Sequence, residues 1–248
     1  MAEKLFGIVH FFINPGETEA FKEKAQACME AAKADLTGTQ AYEWFISPDG
    51  TQAFVIEIYD GVAGLNHHGK MVGKTMPALL AHSTLKIKFA GDMPTDLFAQ
   101  YTKRFPNAEH AGPRFQGKLQ TPAPGTASSG PDTKIFAIAR FSVHPGQEAL
   151  FRELAEDCFA HVARTDPGTS GYEWFLNESG TECLVLDIYD DAQALAAHMT
   201  NSGPKMSKIL PLVTSKVHMF GAVPAPFLAK FKPELGTTYG GPLFQGIL

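Results

Sequence analysis

Shifted by 130 residues, this sequence lies on itself. Over residues 4–97, 31 of the 94 ungapped positions are identical in the partner stretch. Lys4-Leu5-Phe6 meets Lys134-Ile135-Phe136, Asn14-Pro15-Gly16 meets His144-Pro145-Gly146, and Ile58-Tyr59-Asp60 meets Ile188-Tyr189-Asp190. Tyr42-Glu43-Trp44-Phe45 returns as Tyr172-Glu173-Trp174-Phe175, and the two copies hold both Trp residues of the chain. With one residue deleted, Phe115-Gln116-Gly117 matches Phe244-Gln245-Gly246. Identity at one position in three over such a span means duplication, so whatever one copy folds into the other must also form. Residues 120–133, QTPAPGTASSGPDT, are rich in Pro, Gly, Ser and Thr and read as a flexible linker. The expected organisation is a first module over 1–119, the linker over 120–133, and a second module over 134–248.

Each copy presents the same order of elements. Residues 4–13 are an apolar run suited to a buried strand. Pro15-Gly16 ends it and opens a helix whose first turn is acidic, which complements the helix dipole. Helical spacing puts Phe21, Ala25, Cys28 and Ala32 on one face, and Phe151, Ala155, Cys158 and Val162 in the second copy. Strands over 41–47 and 52–60 flank the turn Ser47-Pro48-Asp49-Gly50. A second helical stretch over 62–81 and a fourth strand over 83–90 follow. The β-α-β-β-α-β order is the ferredoxin-like split motif. An extra helix near 94–105 and the Phe-Gln-Gly strand are expected to complete each copy.

Strand alternation assigns the faces. Leu5, Val9, Phe11 and Ile13 should pack on helices, whereas Phe6, Ile8, His10 and Phe12 share the other face. Alternation within the hairpin strands sets Tyr42, Trp44 and Ile46 against Glu43 and Phe45, and Val55, Glu57 and Tyr59 against Phe54, Ile56 and Ile58. The reading places the glutamates, Phe45, Tyr59 and Tyr189 on the non-helical face with Phe6 and Phe136. A face this aromatic needs a cover, and the same face of the other module is the expected one. The fold class is therefore α+β: two ferredoxin-like modules forming a dimeric α+β barrel within one chain.

Composition limits the function classes. A formal net charge of −5 disfavours nucleic acid as a partner, and no apolar run approaches the roughly 18–20 residues of a membrane span. No signal peptide is evident, and three cysteines without metal-ligand spacing point to a reducing cytoplasm. Nineteen Phe imply a large aromatic core or an apolar pocket.

The Tyr-Glu-Trp-Phe strand, the Asp-Gly turn, the strand ending Ile-Tyr-Asp and the helix carrying a His resemble the antibiotic biosynthesis monooxygenase family. The resemblance covers residues 4–92 and 134–222. Members are dimeric α+β barrel proteins, small quinol monooxygenases among them. The superfamily also holds haem-degrading enzymes and chlorite dismutases, so the motif marks the fold more closely than the reaction. What the resemblance implies is oxygenation of a small aromatic or quinol with no cofactor, in an apolar pocket that supplies a base. A haem-binding or haem-degrading barrel and a non-catalytic barrel for a small apolar ligand are the alternatives. The pseudo-dimer leaves further homodimerisation open.

His68 and His198 occupy equal positions on the second helix and are the candidate catalytic bases, since imidazole titrates in the right range; packing under the sheet is their structural alternative. His10 and Arg140, equivalent but different, are candidates to orient an anionic substrate oxygen, or else pair with Glu43, Glu57, Glu173 and Asp187. Tyr59, Tyr189, Phe6 and Phe136 are the candidate pocket walls. Tyr42, Trp44, Tyr172 and Trp174 read as core, and Cys28 and Cys158 as core thiols. No phosphate-binding glycine loop, C-x-x-C or zinc spacing occurs. The adjacent His67 and His68 point about 100° apart on a helix, which suits no single metal.

Overall fold

The computed structural model describes residues 4–119, 133–233 and 236–248. All but the last residue of the expected linker lies outside the described residues. The chain divides into two compact units, Met1–His110 with Gly240–Leu248, and Ala111–Tyr239.

The first unit runs β1 (Leu5–Ile13), α1 (Thr18–Lys33), β2 (Thr39–Ile46), β3 (Gln52–Tyr59), α2 (Gly61–Val72), α3 (Met76–Leu80), β4 (Ser83–Gly91), α4 (Thr95–Arg104) and β5 (Glu109–His110). The second contains β6 (Arg114–Leu119), β7 (Ile135–Val143), α5 (Glu148–Thr165), β8 (Thr169–Leu176), β9 (Glu182–Tyr189), α6 (Ala192–Ile209), β10 (Val213–Gly221), α7 (Ala225–Leu228) and β11 (Thr237–Gly241). The last strand, β12 (Leu243–Gln245), joins the first unit's sheet. The sheet orders are β12-β2-β3-β1-β4-β5 and β11-β10-β7-β9-β8-β6. The four central strands of each reproduce the ferredoxin-like order, and the predicted helix face of each copy is buried.

The Phe-Gln-Gly strands depart from expectation. Each was expected to complete its own copy, yet β6 pairs with β8 and β12 pairs with β2. The repeated tetrapeptide supplies the reason. Its glutamate turns away from the helices and anchors the incoming strand. Glu43 Oε1 accepts the Ile247 and Leu248 N–H groups at 2.7 and 2.8 Å, and Glu173 accepts two bonds from Arg114 at 2.5 and 2.7 Å. The glycines leave the room, because a Cβ on Gly246 or Gly117 would stand 1.8 or 2.2 Å from the carboxylate oxygen.

Strand register corrects the face assignment. Gly7 lies opposite Glu57, Leu5 opposite Tyr59 and Tyr42 opposite Glu57. Direct partners in an antiparallel ladder share a face, so Glu57 and Tyr59 point toward the helices beside Val9, Tyr42 and Trp44. Asp187 and Tyr189 do the same, opposite Ala137 and Ile135. Alternation fixes parity within a strand but carries no phase between strands, and a shift of one residue inverts the assignment.

Two helices differ from expectation. The predicted stretch over 62–81 is broken after Val72, where Thr75 Oγ1 donates to the Val72 carbonyl at 2.7 Å and Pro77 restarts the chain as α3. Proline cannot donate the bond that would carry α2 onward and suits the first turn of a new helix. In the second copy α6 continues unbroken through Pro204. The extra helix is ten residues in the first copy but only four in the second, where Pro226 and Pro233 crowd the segment.

Candidate functional site

The helix break opens a cavity of about 80 Å3 in the first unit. That is several times the roughly 10–15 Å3 that one water requires. Most of its wall is apolar: Val9, Leu85, Ile87 and Phe89 from the sheet, with Leu65, Val72, Met76 and Phe105 from the helical side. Set into this wall are Glu57, Tyr59, His68, Tyr101 and Arg104. Nothing about an apolar core calls for these groups.

The sheet and α2 each bring part of the cluster. Glu57 and Tyr59 come from the helix face of β3, and Gly7 on β1 admits the carboxyl, since a Cβ there would lie 2.5 Å from Glu57 Oε2. His68 projects from α2 with only 4% of its surface exposed. Its Nε2 is 3.8 Å from Glu57 Oε1 and has no hydrogen-bond partner, while Nδ1 lies 3.4 Å from Thr39 Oγ1. The imidazole is packed edge-on to Tyr42, with ring centres 4.6 Å apart, and is 5.3 Å from Tyr59.

Electrostatics give these groups distinct states. Burial raises the Glu57 carboxyl to about 7, against a hydrogen bond from Tyr59 that pulls it down. Burial lowers the His68 imidazole to about 4, with His67 nearby adding to the effect. With the imidazole uncharged at neutral pH, the 3.8 Å approach is not a salt bridge in either state of Glu57. Burial, and secondarily the Glu57 carboxylate, lifts Tyr101 to about 12, and burial likewise raises Tyr59 and Tyr42 well above the usual phenol range. The phenols therefore remain hydrogen-bond donors at neutral pH. Glu57 alone titrates there.

The second unit repeats the cluster in altered form. His198 Nδ1 donates to Asp166 Oδ2 at 2.9 Å, and Asp166 Oδ1 also accepts from Asn201 at 2.7 Å and from Thr165 at 2.7 Å. The corresponding first-copy positions are Leu36, Met71 and Asp35. Burial lowers His198 while Asp166 opposes the shift, and burial raises Asp187 to about 8. Thr169, the counterpart of Thr39, is left with an unpartnered buried hydroxyl.

The structure thus brings together His68 with Tyr59, and His198 with Tyr189, whose ring centres are 5.2 Å apart. It does not bring the other predicted residues to them. Phe6 and Phe136 are buried on the opposite sheet face, across from Ile58 and Ile188. His10, on that face too, bonds Gln52 at 2.7 Å and stacks on Phe54. Arg140 is exposed and pairs with Glu182 at 3.0 Å rather than with the four predicted acids. Sequence reading had Glu57 only as an ion-pair partner and did not include Tyr101 or Arg104. A Gly facing an acid in the first copy, where the second has Ala137 facing the shorter Asp187, was the available signal.

The three cysteines are free and buried, and burial raises each thiol. Among the described residues, no three His, Cys, Asp or Glu side chains form a metal-binding group. No helix among them is long and apolar enough to cross a membrane.

Solved structures resemble both copies together. A candidate monooxygenase from Fusobacterium nucleatum aligns over 87% of this chain and 90% of its own, with a TM-score of 0.65 at 11% identity. A candidate monooxygenase from Lactobacillus acidophilus aligns over 87% and 91%, with a TM-score of 0.59 at 12% identity. These likenesses establish the class: an α+β protein of two ferredoxin-like modules, a pseudo-dimer in a single chain. Residues 134–205 match the model of the antibiotic biosynthesis monooxygenase family. The match lies within the second copy, whose sequence the first copy repeats. Among proteins of curated function, none matches this chain.

Proposed function

We propose that the first unit is a monooxygenase site acting on a small phenol or quinol without a cofactor, and that Glu57 rather than His68 is its base. The observation that carries this is a carboxyl titrating near 7 in the wall of an apolar cavity, beside phenol and imidazole groups. A general base works best when its pKa lies near the working pH. An imidazole held near 4 is a weak proton acceptor but remains a neutral hydrogen-bonding group.

In this mechanism the Glu57 carboxylate takes the hydroxyl proton of a bound phenol. The resulting phenolate is electron-rich enough to reduce dioxygen. One oxygen atom forms a new carbonyl on the ring and the other leaves as water. The two hydrogens of that water come from the hydroxyl and the ring carbon attacked, and the ring supplies all four electrons. No external reductant enters the balance. Tyr59 and the unpartnered His68 Nε2 orient the substrate oxygen, and the apolar wall keeps water from the carboxylate.

The test is oxygen uptake with hydroquinone and related phenols, using labelled dioxygen to follow the atom that enters the product. Glu57→Gln should reduce turnover by at least a hundredfold, while Asp187→Asn leaves most of it. Undiminished uptake in Glu57→Gln, or label found only in water, refutes the proposal.

A further inference from the structure

The cavity lining is graded from a buried floor to an open mouth. Glu57, Tyr59 and His68 are buried, Tyr101 is half-buried, and Arg104 is exposed. Arg104 is the one permanently charged cation among the lining residues. No acidic side chain pairs with it among the described residues, and its guanidinium lies over the Phe105 ring, 5.2 Å from the centre. It stands in the last turn of α4, and the second copy ends the corresponding helix at Leu228. A cation near the end of a helix complements the dipole, but Lys103 already serves that purpose. The dipole also gives no reason for Arg104 to border an apolar cavity.

We infer that the mouth of this cavity is an anion subsite, and that its ligands are aromatic acids bound with hydroxyl inward and carboxylate on Arg104. This rests on the proposed phenol site and narrows its substrate class. An apolar ring fills the wall, the hydrogen-bonding groups of the floor take a hydroxyl, and the guanidinium fork matches a planar carboxylate in two parallel hydrogen bonds. Stacking on Phe105 holds the fork in place before binding. A ring bearing a cation meets the same charge and is rejected.

The probes are 3-hydroxybenzoate and its neutral isostere 3-hydroxybenzamide, titrated calorimetrically against the full chain. Exposed ion pairs are modest and screened by salt. The acid should bind about five- to tenfold more tightly at low ionic strength, with the preference shrinking as salt is added. Arg104→Gln should remove the preference, and Arg104→Lys should keep part of it. Equal affinities in the unaltered protein, a preference that survives Arg104→Gln, or no binding of either probe at millimolar concentration overturns the inference. Oxygen uptake separates the two proposals. Turnover of quinols without an acid preference sinks only the subsite, whereas acid-selective binding with no uptake from any quinol sinks only the oxygenase.

Discussion

Glu57→Gln should make the protein more stable at alkaline pH while removing its proposed base. The substitution keeps the shape of the side chain and an acceptor for Tyr59, but removes the ionisation. A carboxyl moved from 4.5 to about 7 favours its neutral form in the folded state. Below about pH 4.5 the carboxyl is protonated in both states and affects neither. Between 4.5 and 7 the unfolded chain releases the proton and the folded chain retains it, so stability falls as pH rises. At 1.36 kcal/mol per pH unit, the cost levels off at about 3 kcal/mol above pH 7. His68 works in the opposite direction over an overlapping window, losing stability as pH falls from 6.5 toward 4, but it is neutral in both states at pH 8 and leaves the comparison there undisturbed. The assay is urea unfolding at pH 5 and pH 8, followed by Trp44 fluorescence in a Trp174→Phe background so that only the first unit reports. The Gln variant should unfold close to the parent at pH 5 and at clearly higher urea at pH 8. Equal midpoints at pH 8, or a less stable variant there, would mean that the carboxyl is solvated and that its use as a neutral-pH base is wrong.

Two further outcomes follow from the same groups. The kcat/KM of oxygen uptake should rise about tenfold per pH unit up to a midpoint near 7 and then level off, with no second inflection down to pH 5, because His68 stays neutral throughout; a stopped-flow or electrode pH profile checks this. Gly7→Ala should cost about 1–3 kcal/mol through collision with Glu57. Adding Glu57→Asp should recover most of that loss, since the second copy pairs Ala137 with Asp187, and a double-mutant cycle by urea unfolding measures the coupling.

The fold was largely legible because its signals are local or repeated. Phe21, Ala25, Cys28 and Ala32 declare a helix face through spacing alone, and both copies agree. Tyr42 and Trp44 were rightly read as core because β2 had the correct phase. Glu57 and Tyr59 were not, because alternation along β3 reads the same whether the strand is in phase with β1 or one residue out. The exchanged Phe-Gln-Gly strands were hidden for a different reason. Their anchors, Glu43 and Glu173, are more than fifty residues away in sequence from the strands they hold, and no short-range pattern encodes such a choice. The cavity depends on a helix break set by Thr75 and Pro77, and the second copy tolerates Pro204 in mid-helix. A proline alone therefore could not say which copy would open.

Duplication explains how the two clusters could come to differ. In a symmetric homodimer, any change at the histidine changes both sites at once. In one chain carrying two copies, one cluster can be altered while the other keeps its chemistry. The second copy shortens Glu57 to Asp187, fills the vacated space with Ala137, and ties the histidine to a buried Asp166. The Asp166 bond fixes His198 in a way that nothing fixes the His68 Nε2. The first copy keeps Gly7, a longer carboxyl and a histidine nitrogen with no partner. A purely structural cluster would be expected to satisfy that nitrogen, because leaving a buried polar atom unpaired costs about 1–3 kcal/mol. The second copy bears a like cost at Thr169 and Asp187, but the His68 nitrogen belongs to a residue that lines the cavity, where a ligand would complete the set.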